Sequence, residues 1–327
     1  ADASVCQQYI ENVMATLDGR NLDYLVLHHM EPDHCASIEA IAALYPDAKL
    51  VGNKKTFQLL EQFYTTGLKD RYYEVKEGDI LDLGNHKLEF IFAPMVHWPE
   101  VMFSYEQTED ILFSADAFGT FGALSGNIFD DEQDFWGVYG DEFRRYYTNI
   151  VGKYGPSVQM AFKKVADKPV KMIAPLHGPV IRQNIDEAIE KYNSWSTYTP
   201  EKQGVVLVYG SMYGNTASAV DLLSVMLSQR GVEDLRVIDV SKTHASYIIS
   251  DVFKYSNMVL ACPTYNLNIY YPMDNFIREL AALNMQNRNY SIIGNGSWAP
   301  TAAKKMGELV PTMKNMTMIG EPMEITS

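Results

Sequence analysis

A chain of 327 residues, 47% hydrophobic and 21% charged, has the balance of a globular protein, and its length predicts about two domains at ~150 residues each. Its net charge of -14 argues against nucleic-acid binding, which needs a basic stripe to release counterions. Three cysteines, Cys6, Cys35 and Cys262, contain no C-x-x-C pair, so these residues supply no disulfide framework, zinc ribbon, iron–sulfur module or rubredoxin-type module.

Free thiols fit a reducing cytoplasm. No apolar run approaches ~18 residues, so no membrane-spanning helix is expected. The opening residues lack the basic region and apolar core of a signal peptide.

In chain order, apolar spacing predicts a helix over 4–16, stopped by Asp18-Gly19. A strand at 23–27 runs into a polar loop. A helix at 37–44, a strand at 49–52 and a helix at 55–64 follow. The period then changes to that of strands, at 71–76, 87–93, 101–106 and 110–114. A long helical stretch covers 138–165, interrupted around Gly155-Pro156, before a strand at 171–174 and a helix at 186–196. The polar stretch 197–204 marks a domain boundary, with domains expected at 1–198 and 204–327. After it, strands at 205–209, 235–240, 258–262, 290–294 and 316–324 alternate with helices at 216–229, 245–255, 271–284 and 300–310. Alternation without a hairpin predicts a doubly wound parallel sheet.

The polar loop reads His28-His29-Met30-Glu31-Pro32-Asp33-His34-Cys35. His29, Glu31 and Asp33 would point the same way on an extended segment, with His34 beside them, and Pro32 forbids a helix interior. Alone, such a loop is as readily a solvated turn as a metal site. Three further strands each run into one ligand-type residue: His97 after Ala93, Asp116 after the run 111–114, and His177 after Ala174. Singly, a buried His bonded to backbone or an Asp capping a turn is commoner, by roughly three to one. Gathered without a cation, three carboxylates and four imidazoles would cost several kcal/mol per buried charge, and a polyvalent metal removes that cost. Seven ligands exceed the four of a tetrahedral zinc and suit two metals sharing a carboxylate. The oxygen donors Glu31, Asp33 and Asp116 favour iron or manganese alongside zinc. His28, His86 and His244 lack this context and read as ordinary structural residues.

In the second half, the strand at 205–209 leads through Gly210 into Ser211-Met212-Tyr213-Gly214-Asn215-Thr216 and a helix. Backbone N–H groups and hydroxyls at a helix N-terminus suit a phosphate, although an ordinary strand–helix turn is the commoner reading of that loop alone. The loops Pro263-Thr264-Tyr265-Asn266 and Asn295-Gly296-Ser297-Trp298 lie at carboxyl ends of strands on the same sheet edge, where ligands of open α/β sheets bind. Tyr265 and Trp298 would offer faces to a planar ring.

The order H-x-E-x-D-H, then His97, Asp116 and His177, resembles the metallo-β-lactamase-like domain of flavodiiron proteins. Hydrolases of that fold typically carry His where this chain has Glu31. The second half resembles flavodoxin, with Tyr213 in place of the middle Thr of the usual phosphate loop. Together the two cover nearly the whole chain. The resemblance implies an αββα sandwich followed by a flavodoxin-like sheet. It implies two non-haem irons, one on His29, Glu31, His97 and Asp116, the other on Asp33, His34, Asp116 and His177, with Asp116 bridging. It implies FMN, with Ser211–Thr216 around the phosphate and the other two loops around the isoalloxazine. Activity follows in kind: reduction of dioxygen to water or of nitric oxide to nitrous oxide, with electrons from a separate donor such as rubredoxin or a reductase. Because metal and flavin loops lie in different domains, it also implies a head-to-tail homodimer or a dimer of dimers. Family members carry strands before the first helix seen here and a helix after the last strand, so the natural protein is expected to be longer. The rival readings are a binuclear zinc hydrolase fused to a flavodoxin-like module and an electron-transfer module with a structural metal.

Overall fold

In the computed structural model, which describes residues 1–64 and 67–326, the β-branched and aromatic runs of the first half form two sheets. Strands β1 (Tyr24–Val26), β2 (Lys49–Gly52) and β3 (Tyr72–Glu74) pair in parallel. The second sheet has the order β4 (Ile80–Asp82), β5 (Lys87–Phe92), β6 (Met102–Glu106), β7 (Ile111–Phe113), β8 (Met172–Ala174). Neighbours in it are antiparallel until β8, which joins β7 in parallel.

Side-chain alternation along β2 explains the layering. Helix α1 (Cys6–Leu17) buries none of its residues fully; Leu50 turns to a core with Met30, Cys35, Ile38, Phe57 and Leu60, supplied in part by helices α2 (Pro32–Cys35), α3 (Ile38–Leu44) and α4 (Lys54–Phe63). Val51 turns the other way, to Val75, Leu81, Phe90 and Met102 between the two sheets. Helix α4 starts where Asn53 accepts the N–H groups of Lys55 and Thr56, a side-chain cap of the preferred type.

The expected helix over 138–165 is broken further upstream than Gly155-Pro156. Helix α5 (Phe135–Tyr146) gives way to a π-helical turn at Tyr147–Val151 and a 3-10 turn, and α6 (Gly155–Val165) begins at the glycine itself. A Cβ on Gly155 would lie 2.3 Å from the Ser196 carbonyl oxygen, so only glycine permits that approach. Pro156 then falls in the first turn of α6, where its missing N–H costs nothing.

Residues 1–137 and 156–186 form one compact unit; 138–155 and the chain from 187 onward form another. The second grouping has a physical cause. Phe143 and Tyr147 pack against Tyr192 and Trp195 of α7 (Ile185–Ser196), and Tyr147 meets the ring of Phe253.

The sheet of the second unit has the order β10 (Leu235–Asp239), β9 (Lys202–Tyr209), β11 (Tyr255–Tyr265), β13 (Asn289–Asn295), β14 (Thr317–Met318), parallel throughout. This is the doubly wound order 2-1-3-4-5, interleaved with α8 (Asn215–Gln229), α9 (Ala245–Lys254), α10 (Tyr271–Ala282) and α11 (Ala302–Leu309). Strand β9 starts inside the polar stretch because Lys202 pairs with Tyr255. The strand expected over 316–324 is split into β14 and β15 (Met323–Ile325) by Gly320, at φ 73°, and Pro322. The expectation of no hairpin fails at one place. β12 (Asn268–Ile269) folds back antiparallel on β11 through Asn266 and Leu267, at φ 49° and 56°. Two left-handed central residues make a tight hairpin turn, and without a glycine there the sequence carries no usual signal for it.

Arg288 staples the second unit. Its buried guanidinium donates to the carbonyls of Val252, Phe253 and Tyr198 at 2.7–2.8 Å, and burial pulls its pKa to about 10, so it stays charged at neutral pH. Among the described residues, no helix is long and apolar enough to cross a membrane.

Candidate functional site: metal centre and cofactor cleft

All seven candidate metal ligands belong to the first unit and come together there. His29 and Glu31 follow β1. Pro32, at the first helical position, then starts the single turn of α2, so the segment is not extended past Glu31. This turn separates Asp33 and His34 from the pair before them. His97, Asp116 and His177 follow β5, β7 and β8. Those three strands run in the same direction, so their carboxyl ends open on one edge. The loops are tied to each other: Leu176 N–H donates to the Ala115 carbonyl and Thr120 N–H to the His177 carbonyl. Gly178, at φ 81°, lies against Thr120, and a Cβ there would meet the threonine methyl at 2.0 Å. Met95, Ala115 and Phe118 adopt left-handed φ of 66°, 50° and 66°. Such strain in non-glycine residues persists where surrounding structure holds it.

The ligand atoms form two groups, His29, Glu31, His97 and Asp116, and Asp33, His34 and His177. In the first, Glu31 Oε2 lies 3.3 Å from His29 Nε2 and 3.0 Å from His97 Nε2, and Asp116 Oδ2 lies 3.4 and 3.1 Å from the same nitrogens. In the second, Asp33 Oδ2 lies 3.4 Å from His34 Nε2 and 3.2 Å from His177 Nε2, and those nitrogens are 3.1 Å apart. Asp116 Oδ1 faces this second group, 3.0 Å from His34 and 3.7 Å from His177. Atoms bound about 2.1 Å from one cation lie roughly 3.0–3.4 Å from each other, between the octahedral and tetrahedral limits. Nearly all these separations fall there. Asp116, 1% exposed, turns one oxygen to each group.

The electrostatics fit a cation. Burial opposes ionisation of Asp116, yet hydrogen bonds from His34 and His97 hold its pKa far below the usual carboxylate range. Glu31 is lowered by its bond to His29. Burial alone would lower His29, but bonds to Glu100 and Glu31 and the Asp116 charge outweigh it and raise the pKa to about 9. Burial lowers His177. Asp33 Oδ1 is buried and accepts no hydrogen bond from the described residues, a cost that grows for charged groups and that a metal would remove.

The three histidines read as structural join neither group. His28 Nε2 bonds Ser104 Oγ at 2.7 Å and is pushed down to about 4 by burial. His86 pairs with Glu106 at 3.1 Å, and His244 caps α9 by accepting from Ser246 N–H. The sequence reading missed Glu100. Its side chain is fully buried, 2.8 Å from His29 Nδ1. The signal was an acid between Pro99 and the apolar run Val101–Phe103, which also reads as a turn residue.

In the second unit, a cleft of 240 Å³ is lined by Ser211, Met212, Tyr213, Asn215, Thr216, Pro263, Thr264, Asn295, Gly296, Ser297 and Trp298. Gly214, at φ 93°, caps α8 and donates its N–H to Ser211 Oγ. Ala217 N–H points at the same oxygen, and Asn295 Nδ2 donates to Thr216 Oγ1 at 3.2 Å. Thr264 Oγ1 accepts from the N–H groups of Thr301 and Ala302, so its hydroxyl caps α11. Tyr265 and Asn266 belong to the hairpin and do not line the cleft. Tyr213 and Trp298, at the rim of this cleft, are 91% and 75% exposed. Donors at the N-terminus of α8 with aromatics at the rim suit a phosphorylated planar cofactor.

The sequence profile of the ODP family beta lactamase matches residues 2–178. An uncharacterized protein of Methanocaldococcus jannaschii is 30% identical over 302 residues, which are 92% of this chain and 75% of that one. The anaerobic nitric oxide reductase flavorubredoxin of Klebsiella pneumoniae is 27% identical over 310 residues, and the match covers 93% of this chain but only 63% of that one. Rubredoxin oxygen:oxidoreductase from Desulfovibrio gigas superposes with a TM-score of 0.92 at 25% identity, covering 100% of this chain and 81% of that one. The architecture is therefore a metallo-β-lactamase-like domain followed by a flavodoxin-like one, in a family of oxidoreductases. The chain belongs to the ODP beta-lactamase family and, within it, to the flavodiiron proteins.

Proposed function

We propose that the protein reduces dioxygen, nitric oxide or both at a pair of irons, with electrons delivered by a separate donor protein through FMN. The observation that carries this reading is Asp116, whose two oxygens face two groups of ligand atoms. His29, Glu31 and His97 would hold one iron and Asp33, His34 and His177 the other. Bound there, the irons would supply open positions for a diatomic and electrons to reduce it, and FMN would supply one- or two-electron transfer. The chain's own part is positional. Strand ends fix the seven side chains, and burial of Asp116 keeps water from competing for its oxygens. At the cleft, N–H groups at the start of α8 would hold the phosphate, with Pro263, Thr264 and the loop 295–298 around the ring system. The flavodiiron resemblance supports a head-to-tail dimer, in which the flavin of one subunit serves the irons of the other, and a rubredoxin or reductase as donor.

The alternative, a binuclear zinc hydrolase, is disfavoured by the carboxylate at Glu31 and by the cofactor cleft. The test is metal and flavin analysis followed by anaerobic assay of the reduced protein with each gas in turn. Two irons, one FMN and turnover of either gas are expected. Two zinc atoms with hydrolysis and no gas turnover would overturn the proposal.

A further inference from the structure

Glu100 has no ligand role in that reading, yet its carboxylate is wholly buried directly behind the first ligand group. We infer that Glu100 is a positioning residue that fixes the tautomer and ring plane of His29, so that Nε2 presents its lone pair to the cation held with Glu31, His97 and Asp116. The inference rests on the metal reading above.

Glu100 Oε1 accepts the backbone N–H of Met30 at 2.9 Å and lies 2.8 Å from His29 Nδ1. The Met30 N–H aims at that oxygen and stabilises it as an accepting atom, so the proton between Glu100 and His29 belongs on Nδ1. A neutral imidazole protonated at Nδ1 keeps its lone pair on Nε2, the atom that faces Glu31 and Asp116. Glu100 is itself held from behind: Asn53 Nδ2 donates to its carbonyl oxygen at 2.6 Å, and Asn53 is fixed as the cap of α4. Trp98 meets the His29 ring edge-on at a centroid distance of 5.2 Å, so the ring has a wall as well as a hydrogen bond. The simpler alternative is a carboxylate that only pins the Met30 backbone. That role needs no contact with His29 and would leave metal binding unchanged.

The test uses the full chain and Zn²⁺, a diamagnetic probe. Zinc is titrated calorimetrically into wild type, E100Q and E100L, and the imidazole N–H resonances of the zinc-loaded proteins are recorded. Wild type should bind two zinc ions and show a slowly exchanging His29 Nδ1–H. E100Q retains an accepting oxygen and should stay within about threefold of wild type. E100L should lose that resonance and weaken one of the two binding events by about 10–100-fold, the usual effect of removing a partner behind a ligand. The other event, at Asp33, His34 and His177, should be unchanged and serves as the control for folding. Unchanged affinities in E100L, or an equal loss in E100Q, would overturn the proposal. If E100L does not fold, the wild-type spectrum decides, since a zinc-bound His29 protonated at Nε2 contradicts it. A wild type that takes up no zinc would sink the metal reading itself, which is a separate failure.

Discussion

The metal centre and the cofactor cleft are built on opposite principles. The first converges seven charged or ionisable side chains from four strand ends, most of them at least half-buried, into two groups of ligand atoms. The second is shaped by backbone: Gly214 with a left-handed φ, N–H groups at the start of α8, and hydroxyls that mostly serve the backbone of neighbouring loops. A side-chain site concentrates its energy in few residues, so single substitutions should be severe. A backbone-lined site spreads it, so single substitutions should be mild.

Removing the shared carboxylate should break one half and spare the other. Asp116→Ala deletes the residue facing both ligand groups, so both metals should be lost together. Turnover should fall by at least about 100-fold, the top of the range for residues that merely support ligands, while FMN content stays at wild-type level. Elemental analysis beside the flavin absorbance checks this. A variant that kept one full metal would show that Asp116 is not shared.

This contrast also decides what the sequence could reveal. His97, Asp116 and His177 were legible because each is a lone ligand-type residue at a strand end, where no packing role competes for the assignment. The division of the seven ligands into two groups came from the flavodiiron resemblance and not from spacing, because it depends on the turn of α2, and four residues ending in a cysteine carry no helical period. Glu100 was hidden for the opposite reason: a buried acid and a solvated one look alike beside a proline. The parallel, doubly wound character of the second half followed from simple alternation of strand and helix; the strand order did not, since alternation alone does not fix it. The hairpin at Asn266-Leu267 did not, because its left-handed turn lacks the glycine that marks such turns.

The contrast can be sharpened by acid. Asp130, buried in the metal-bearing unit, accepts N–H groups from Arg182, Gln183 and Asn184, which ties the segment after His177 to the segment after Asp116. Burial opposes its ionisation, but those bonds prevail and leave its pKa below the ordinary 3.8. A carboxylate with a depressed folded pKa stabilises fully above its unfolded value, and that contribution disappears as pH falls through the folded value. Asp130→Ala should therefore cost about 2–3 kcal/mol at pH 7, as for hydrogen bonds to a charged group. The deficit should shrink only below pH ~4. Urea unfolding of both proteins across that range checks the sign. A deficit constant down to pH 2 would mean that the charge contributes nothing.

The mildest test concerns Thr264, which the flavodoxin resemblance places around the isoalloxazine. Its Oγ1 already accepts from Thr301 N–H at 2.9 Å and Ala302 N–H at 3.1 Å, and therefore works as a cap for α11 from the end of β11. Thr264→Val keeps the shape and strands both donors, so stability should fall by about 1 kcal/mol, as for loss of a helix cap. FMN affinity should fall by less than about threefold, because the loop loosens but no direct contact disappears, and Thr264→Ser should restore both. If the hydroxyl instead reached the flavin, affinity would drop by about tenfold, or 1.4 kcal/mol, at unchanged stability. That result would place side-chain chemistry at the centre of the cleft as well, and the distinction between the two sites would narrow to one of burial.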